Sequence, residues 1–223
     1  MNITQTIVAS VVVACGSAAY AGAVVDLGPN QFAGGLSGIM NTQMSELIGS
    51  IEMDNFQDFS IYANTEGRGQ DAFYEGTFMT RIVRSHETGN LHFNYRVLSP
   101  NDQLAGRISH IEVSGFEGFQ TRVEFRNETT SPGTVGPEGA TRSGDGSILD
   151  FNFALGLDTA DESRYFFAMV DTDSYYLDSA IATIYLESGE SVSMSIASAN
   201  PIPAPGALGL LGAAGLISTR RRR

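Results

Sequence analysis

The chain has 223 residues, with 25 acidic against 13 basic side chains, so its formal net charge at neutral pH is −12. A surface of this sign repels nucleic acid and anionic lipid, which excludes both as expected partners. Every basic residue is arginine, and the single cysteine is Cys15. Downstream of Cys15 there can be no disulfide, thiolate metal site or cysteine nucleophile.

Residues 1–21 have the pattern of a secretory signal peptide. A short apolar core runs from Ile7 to Ala14, and Ala19-Tyr20-Ala21 fits the A-x-A cleavage pattern of signal peptidase. Ala19 and Ala21 are therefore the predicted signal-cleavage residues. The mature protein is expected to begin at Gly22, in an exported state.

Two alternatives for this N-terminal segment remain open. Met1 to Thr6 contains no lysine or arginine, which would also fit a buried N-terminal strand. Val12-Val13-Ala14-Cys15 loosely resembles a lipobox, in which Cys15 would be lipidated and become the first residue.

Residues 22–53 are rich in glycine and are predicted to be largely irregular. Within them, five apolar residues recur at helical spacing, which predicts one short amphipathic helix with its apolar side on the core: Met40, Met44, Leu47, Ile48 and Ile51.

From Phe56 onward, apolar and polar residues alternate with a period of two, as in strands with one buried face. Turn-forming residues separate these segments. The pattern predicts an all-β domain over residues 54–199, an antiparallel β-sandwich with jelly-roll or Greek-key connections. The expected strands are Phe73–Arg84, Leu91–Val97, Ile108–Ser114, Thr121–Arg126, Leu149–Leu155, Arg164–Val170, Ala180–Leu186 and Val192–Ile196.

Residues 129–146 are predicted to form one long loop, because they hold two prolines and five glycines. Loops of this length in compact domains are often functional or mobile. A linker between domains is the alternative, but too little chain follows to build a second sandwich.

Catalytic motifs are missing from the sequence. It contains no H-E-x-x-H, no G-x-S-x-G, no P-loop and no Rossmann glycine pattern. The three histidines are His86, His92 and His110, and the last two fall on the polar phase of their strands, which predicts solvated surface positions. The 25 acidic residues allow many carboxylate pairs of the kind that glycoside hydrolysis uses, but none of them stands in a distinctive motif. We therefore expect a protein that is not an enzyme and that has no catalytic residues or cofactor.

The segment that best fits a metal is Asp171-Thr172-Asp173-Ser174, followed by Asp178. Clustered oxygen donors suit calcium, which accepts six to eight ligands from flexible loops. Asp171, Asp173 and Asp178 are therefore weak calcium candidates, although the spacing fails the EF-hand pattern. An ordinary solvated acidic loop is the simpler interpretation.

Four tyrosines would be available to stack on a sugar ring: Tyr165, Tyr175, Tyr176 and Tyr185. They support an alternative function as a carbohydrate-binding module, with calcium beside the platform. The absence of tryptophan from the whole chain favours a structural role instead, with these tyrosines as core or rim residues.

The C-terminal segment, residues 200–223, has three parts in fixed order. Pro203-Ala204-Pro205-Gly206 cannot be helical, because proline fixes φ and lacks the amide donor. An uncharged apolar run, predicted as a short helix, follows from Ala207 to Ile217. Arg220, Arg221, Arg222 and Arg223 end the chain, and arginines beside a membrane segment stay on the cytoplasmic side. The apolar run is shorter than the roughly 20 residues of a stable spanning helix. It therefore suits transient retention in the membrane during export.

This segment resembles the PEP-CTERM sorting signal of Gram-negative-type bacteria, with Ala204 in place of the usual glutamate. The resemblance covers about a tenth of the chain. It implies processing by a membrane-embedded transpeptidase of the exosortase class and association with extracellular polysaccharide. The alternatives are a plain C-terminal anchor and a basic tail that contacts nucleic acid. The expected function is that of an exported, non-enzymatic protein of the cell surface or extracellular matrix, with the precursor held in the inner membrane.

Overall fold

The computed structural model describes residues 22–65, 69–99 and 101–199, and within these ranges the chain is all-β. Twelve strands form two six-stranded antiparallel sheets. The strands are β1 Val25–Asp26, β2 Phe32–Gly34, β3 Gly49–Thr65, β4 Gly69–Ser85, β5 Leu91–Leu98, β6 Arg107–Ser114, β7 Thr121–Phe125, β8 Gly139–Arg142, β9 Ile148–Asp158, β10 Phe166–Val170, β11 Tyr175–Leu186 and β12 Ser191–Ala199. All eight strands expected from the alternation are present, each with slightly different bounds.

The two sheets have different strand orders. Sheet A runs β1-β7-β10-β5-β4-β3, and sheet B runs β12-β11-β6-β9-β8-β2. The long edge strand β3 of sheet A lies beside edge strand β12 of sheet B, where the Gln57 side-chain amide donates to the Ser195 carbonyl at 2.7 Å. Sequence-adjacent strands often lie in different sheets, so the connections hold the two layers together.

One hydrophobic core lies between the sheets and takes alternate residues from both. The Phe166 ring of β10 lies 4.9 Å from Phe151 and 5.8 Å from Phe153, both on β9 of the opposite sheet. The Phe93 ring of β5 meets Phe116 edge-on at 6.1 Å. The period of two in the sequence therefore marks residues that point into this layer.

A second, smaller core lies on the outer face of sheet A. Phe167 and Met169 of β10 point away from the main core and pack against Ile39 and Leu47 of the N-terminal segment. That segment is fixed by backbone bonds to the end of β7, from the Ile39 amide to the Phe125 carbonyl at 2.9 Å and from the Asn127 amide to the Ile39 carbonyl at 3.0 Å. The middle of this outer face is therefore covered by chain and not by solvent.

The helix expected from Met40 to Ile51 is a wrong prediction. A 3-10 turn, Ser45–Leu47, occupies part of it, and β3 begins at Gly49. Met44 and Leu47 do face apolar neighbours, but they do so from an irregular strap on sheet A. Only these two of the five spaced residues contact the second core, whereas Ile48 and Ile51 are exposed, so the spacing does not mark one face of a helix.

The long loop expected over residues 129–146 is also corrected. Strand β8, Gly139–Arg142, lies within it and pairs with both β9 and β2. The part before β8 is tied down as well, since the Thr134 amide donates to the Glu162 carbonyl at 2.9 Å and the Arg164 amide to the Val135 carbonyl at 2.7 Å. Glycine and proline here shape a bonded segment of the fold.

Candidate functional site

The predicted processing residues lie outside the described part of the chain. This holds for the signal-cleavage residues Ala19 and Ala21, for Pro203 to Gly206 and for Arg220 to Arg223. The expected sorting helix lies there too. Among the residues that the structure does describe, no helix has the length and apolar character needed to cross a membrane.

The weak calcium candidates are all described and all exposed. Asp171 and Asp173 lie in the turn between β10 and β11, and Asp178 lies in a bulge of β11, where its φ is 52°. Their carboxylates do not form a group with donor atoms within 4.8 Å of one another. Within the described ranges, such a group is formed only by His110, Glu112 and Asp150.

This group of three, which we call the His110 cluster, lies on the outer face of sheet B where β11, β6 and β9 run side by side. His110 and Glu112 are two residues apart on β6, so both point away from the core that Ile111 enters. Asp150 on β9 lies directly opposite Glu112 in the strand register. Antiparallel pairing therefore places two carboxylates and an imidazole together, although they come from distant parts of the sequence.

Neighbouring polar groups fix the orientation of the His110 ring. The ring stacks on Tyr185 with 4.4 Å between centroids and 8° between planes. Its Nδ1 lies 2.9 Å from the Ser109 hydroxyl, which itself donates to the Tyr185 carbonyl at 3.2 Å. When the Ser109 hydrogen points to the Tyr185 carbonyl, the hydroxyl can accept from Nδ1–H, and this is the tautomer that leaves the lone pair on Nε2.

The electrostatics of the cluster are unbalanced. Like charges directly opposite on neighbouring strands destabilise a sheet, and Glu112 and Asp150 are such a pair. Glu112 accepts a bond from the Tyr185 hydroxyl at 3.0 Å, but Asp150 Oδ1 is hidden from solvent and has no hydrogen-bond partner. Burial raises the pKa of Asp150, the neighbouring His110 lowers it, and Glu112 raises it further. Two carboxylates therefore share a single imidazole at this site.

The four tyrosines considered for sugar stacking do not form one platform. Tyr185 belongs to the His110 cluster, and Tyr165 lies just before β10, beside sheet A. Tyr175 packs against the main core, whereas Tyr176 is exposed. The four tyrosines do not share a surface, because one lies beside sheet A and the other three lie on sheet B, where they are divided between the core face and the outer face.

A cavity of about 320 Å³ lies on the outer face of sheet A. Its lining includes Arg81, Asn94, Arg126, Glu128 and Tyr165. Two guanidinium groups lie near the Tyr165 ring, with the Cζ atoms of Arg81 and Arg96 5.3 and 5.6 Å from its centroid. Asp54 pairs with Arg81 at 2.7 Å and Glu128 pairs with Arg126, so the cavity is polar but nearly balanced in charge.

The prediction that His92 is a solvated surface residue is wrong, because its side chain is 2% exposed. Its outward face of β5 is covered by the N-terminal segment, which the alternation of β5 could not reveal. His110, expected to be solvated too, is half-buried. Glu124 of β7 lies under the same cover at 1% exposure and accepts backbone bonds from Gly38 and Phe125, each at 3.1 Å.

The missed residues share a reason. Glu112 and Asp150 each occupy the polar phase of a strand, which is the pattern of an ordinary solvated face. Only the register of β6 against β9 brings them together. The one available sequence signal was the i, i+2 spacing of His110 and Glu112, which places two ligand-type side chains on one side of a strand.

Comparisons with known proteins leave the function to be argued from these residues. No family model matches the chain, no curated protein matches it, and no solved structure matches it.

Proposed function

We propose that the protein is an exported, non-enzymatic component of the cell surface or extracellular matrix, sorted through its C-terminal segment. The observation that carries this proposal is the order of Pro203-Ala204-Pro205, the apolar run and the four terminal arginines, together with Ala19-Tyr20-Ala21 near the N-terminus. Processing at both ends would leave nine arginines against 25 acidic residues, a net charge of −16 with neutral histidines. Such a surface favours solubility outside the cell.

The described core is compatible with removal of both segments. Its buried apolar residues run from Leu27 to Ala199, and the last strand, β12, ends at Ala199, directly before the C-terminal segment. The partners proposed on this basis are the export machinery, an exosortase-type transpeptidase and extracellular polysaccharide. Membrane insertion of the C-terminal segment would be transient.

The architecture proposed for this body is a β-sandwich with Greek-key or jelly-roll connections. In its support, the chain passes from β5 in sheet A to β6 in sheet B, back to β7 in sheet A, and on to β8 and β9 in sheet B. Repeated crossing between two layers is the feature that these connections share.

The sorting proposal is tested by intact mass of the protein from its native host, in membrane and medium fractions. The wild-type product should begin at Gly22 and lack Arg220 to Arg223. A serine replacement of all four arginines removes the cytoplasmic stop, because each charge costs roughly 2.5–3.5 kcal/mol in the hydrocarbon layer. Unprocessed precursor should then appear in the medium.

A second variant separates retention from cleavage. Pro203→Ala together with Pro205→Ala keeps the apolar run and the arginines, so unprocessed precursor should accumulate in the membrane. If both variants are processed and released like the wild type, the C-terminal segment is not a sorting signal. A lipid-modified Cys15 would replace the predicted export route with the lipobox alternative.

The second candidate function is binding of a neutral saccharide, and the observation that favours it is the cavity on sheet A. Its volume lies at the small end of ligand sites, about 300–1,000 Å³. Arginine, asparagine and carboxylate groups can each bond sugar hydroxyls, and Tyr165 supplies an aromatic ring. Because both arginines at the cavity are paired with carboxylates, the site fits a neutral sugar better than a charged one.

A blocking variant tests this candidate. Thr130 lines the cavity and is exposed, so Thr130→Tyr should fill the opening without disturbing the core. Thr129→Tyr is the matched control, since Thr129 is exposed but not part of the lining. Retention of the full chain on neutral polysaccharide from its host should fall with Thr130→Tyr alone. Equal retention of both variants would exclude the cavity as the binding site.

A further inference from the structure

The His110 cluster has the donor set of a metal site. An imidazole and two carboxylates offer donor atoms that all lie within 4.8 Å of one another. Two ligands on one ion, each about 2.0–2.4 Å from it, are separated by at most about this distance. The spacing therefore allows one ion to contact all three side chains with only small rotations.

The surroundings of the ligands are arranged as they are around bound metals. Metal-binding histidines almost always donate their second ring N–H to a fixed acceptor, which sets the tautomer. Ser109 can serve as that acceptor for His110, because its hydroxyl lies 2.9 Å from Nδ1 and within donating distance, 3.2 Å, of the Tyr185 carbonyl. Tyr185 holds the ring by stacking and also donates to Glu112 at 3.0 Å. Two of the three ligands are thus held in place before any ion arrives.

The third ligand supplies an independent observation. Asp150 Oδ1 has no hydrogen-bond partner and almost no solvent-exposed surface, and Asp150 lies directly opposite Glu112 in the strand register. A buried polar atom of this kind normally has a partner, since leaving it unpaired is unfavourable. A divalent cation between the two carboxylates would pair this oxygen and remove the repulsion at once.

We propose that His110 Nε2, Glu112 and Asp150 bind a divalent cation of the zinc class on the outer face of sheet B. An imidazole with two carboxylates is a zinc-type ligand set, whereas calcium takes oxygen ligands only. Since all three side chains are only half-buried, water completes the coordination. The site is separate from the acidic turn at Asp171 and Asp173, and it does not depend on the proposed sorting function.

The test is a calorimetric titration of the purified full chain with Zn²⁺. The wild type should bind one ion per chain. Asp150→Asn and Glu112→Gln should each weaken binding by at least about tenfold, because changes merely beside a ligand already cost 10–100-fold. Ser109→Ala, which removes the acceptor that positions His110, should also weaken it. Asp173→Asn, an exposed carboxylate outside the cluster, should leave the affinity unchanged.

Melting without metal separates binding from folding. Asp150→Asn removes the like-charge contact, so the metal-free variant should melt at or above the wild-type temperature while losing the rise that Zn²⁺ causes. An equimolar amount of Ca²⁺ should not displace Zn²⁺. The proposal is overturned if the wild type binds no stoichiometric ion, if Asp173→Asn weakens binding as much as Asp150→Asn, or if Ca²⁺ displaces Zn²⁺.

Discussion

At the scale of single residues, the N-terminal segment that covers sheet A changes the pKa values of two buried side chains, His92 and Glu124. Both lie on the outer face of sheet A, His92 on β5 and Glu124 on β7, with β10 between them. Both are almost fully buried beneath the strap formed by residues 22–48. Burial lowers the pKa of His92 to about 4, with the cations of Arg122 and Arg126 adding to this and Glu46 opposing it. Burial also raises the pKa of Glu124, against the backbone bonds that favour its charged form.

His92 makes stability depend on pH in a defined interval. In the unfolded chain, His92 takes up a proton below its ordinary pKa of 6.5. In the folded chain, the His92 imidazole stays neutral until about pH 4. The free energy of unfolding should therefore fall as the pH falls from 6.5 to 4, by about 3 kcal/mol from this residue. His92→Leu should flatten that part of the profile, measured by urea unfolding at a series of pH values.

The control for this prediction is His86→Leu, since His86 lies exposed in the turn after β4. It should leave the slope between pH 4 and 6.5 as in the wild type. A His92→Leu profile parallel to that of the wild type would mean that His92 does not remain neutral in the folded protein. Carboxylates also contribute to the pH dependence of stability, but they contribute equally in the wild type and in both histidine variants, so the difference in slope between variants isolates His92.

At the scale of elements, the segment before β8 is structural and not a free loop. Gly133 has a φ of +91°, and a Cβ at this position would lie 2.1 Å from the Ser163 carbonyl oxygen. The neighbouring Thr134 and Val135 bond to the chain just before β10. This close approach explains the glycine, because any other residue would push the segment away from Glu162 to Arg164.

Two glycine variants separate backbone strain from close contact. Gly133→Ala and Gly89→Ala both place a side chain at positive φ, but at Gly89 nothing lies within 4 Å of the added Cβ. The left-handed conformation alone costs roughly 1–2 kcal/mol. Gly133→Ala should lose roughly 1–3 kcal/mol more, the typical cost of overpacking. Equal losses in urea unfolding would show that the segment moves freely.

The elements differ in how far the sequence predicts them. Strands such as β5 and β12 have one face in the main core, and their alternation gave their position directly. Strand β8 has only four residues, too few for alternation to be recognised, and the glycines and prolines near it predict a loop. Met44 and Leu47 pack against the second core from irregular backbone, and their spacing of three residues led to the wrong prediction of a helix. The His110 cluster needed the register of three strands, which no local pattern contains.

At the scale of the whole molecule, the N-terminal segment, residues 22–48, is attached to both sheets. The strap over sheet A is bonded to the end of β7, and β2 adds an edge to sheet B. Arg142 joins several loops at one end, since its buried guanidinium donates to the carbonyls of Leu27, Phe116, Phe119 and Gly146. Residues 22–48 are therefore an integral part of the fold.

This organisation predicts that residues 22–199 fold without the two terminal segments. The main core takes Ile196, Ala197 and Ala199 from β12, and the second core takes Ile39 and Leu47 from the strap. A chain of residues 22–199 should therefore unfold within about 0.5 kcal/mol of the full chain, as expected for changes outside a core. Circular dichroism during thermal unfolding measures this difference.

A chain of residues 22–190, which lacks β12, is the matched comparison. It loses three buried core residues and leaves the long strand β11 as an unpaired edge of sheet B, so it should unfold at a much lower temperature or aggregate. If the chain of residues 22–199 is instead as unstable as this shorter one, the terminal segments hold the domain together. A mature protein that has lost both could not then keep this fold, and the proposed processing would have to stop short of one of them.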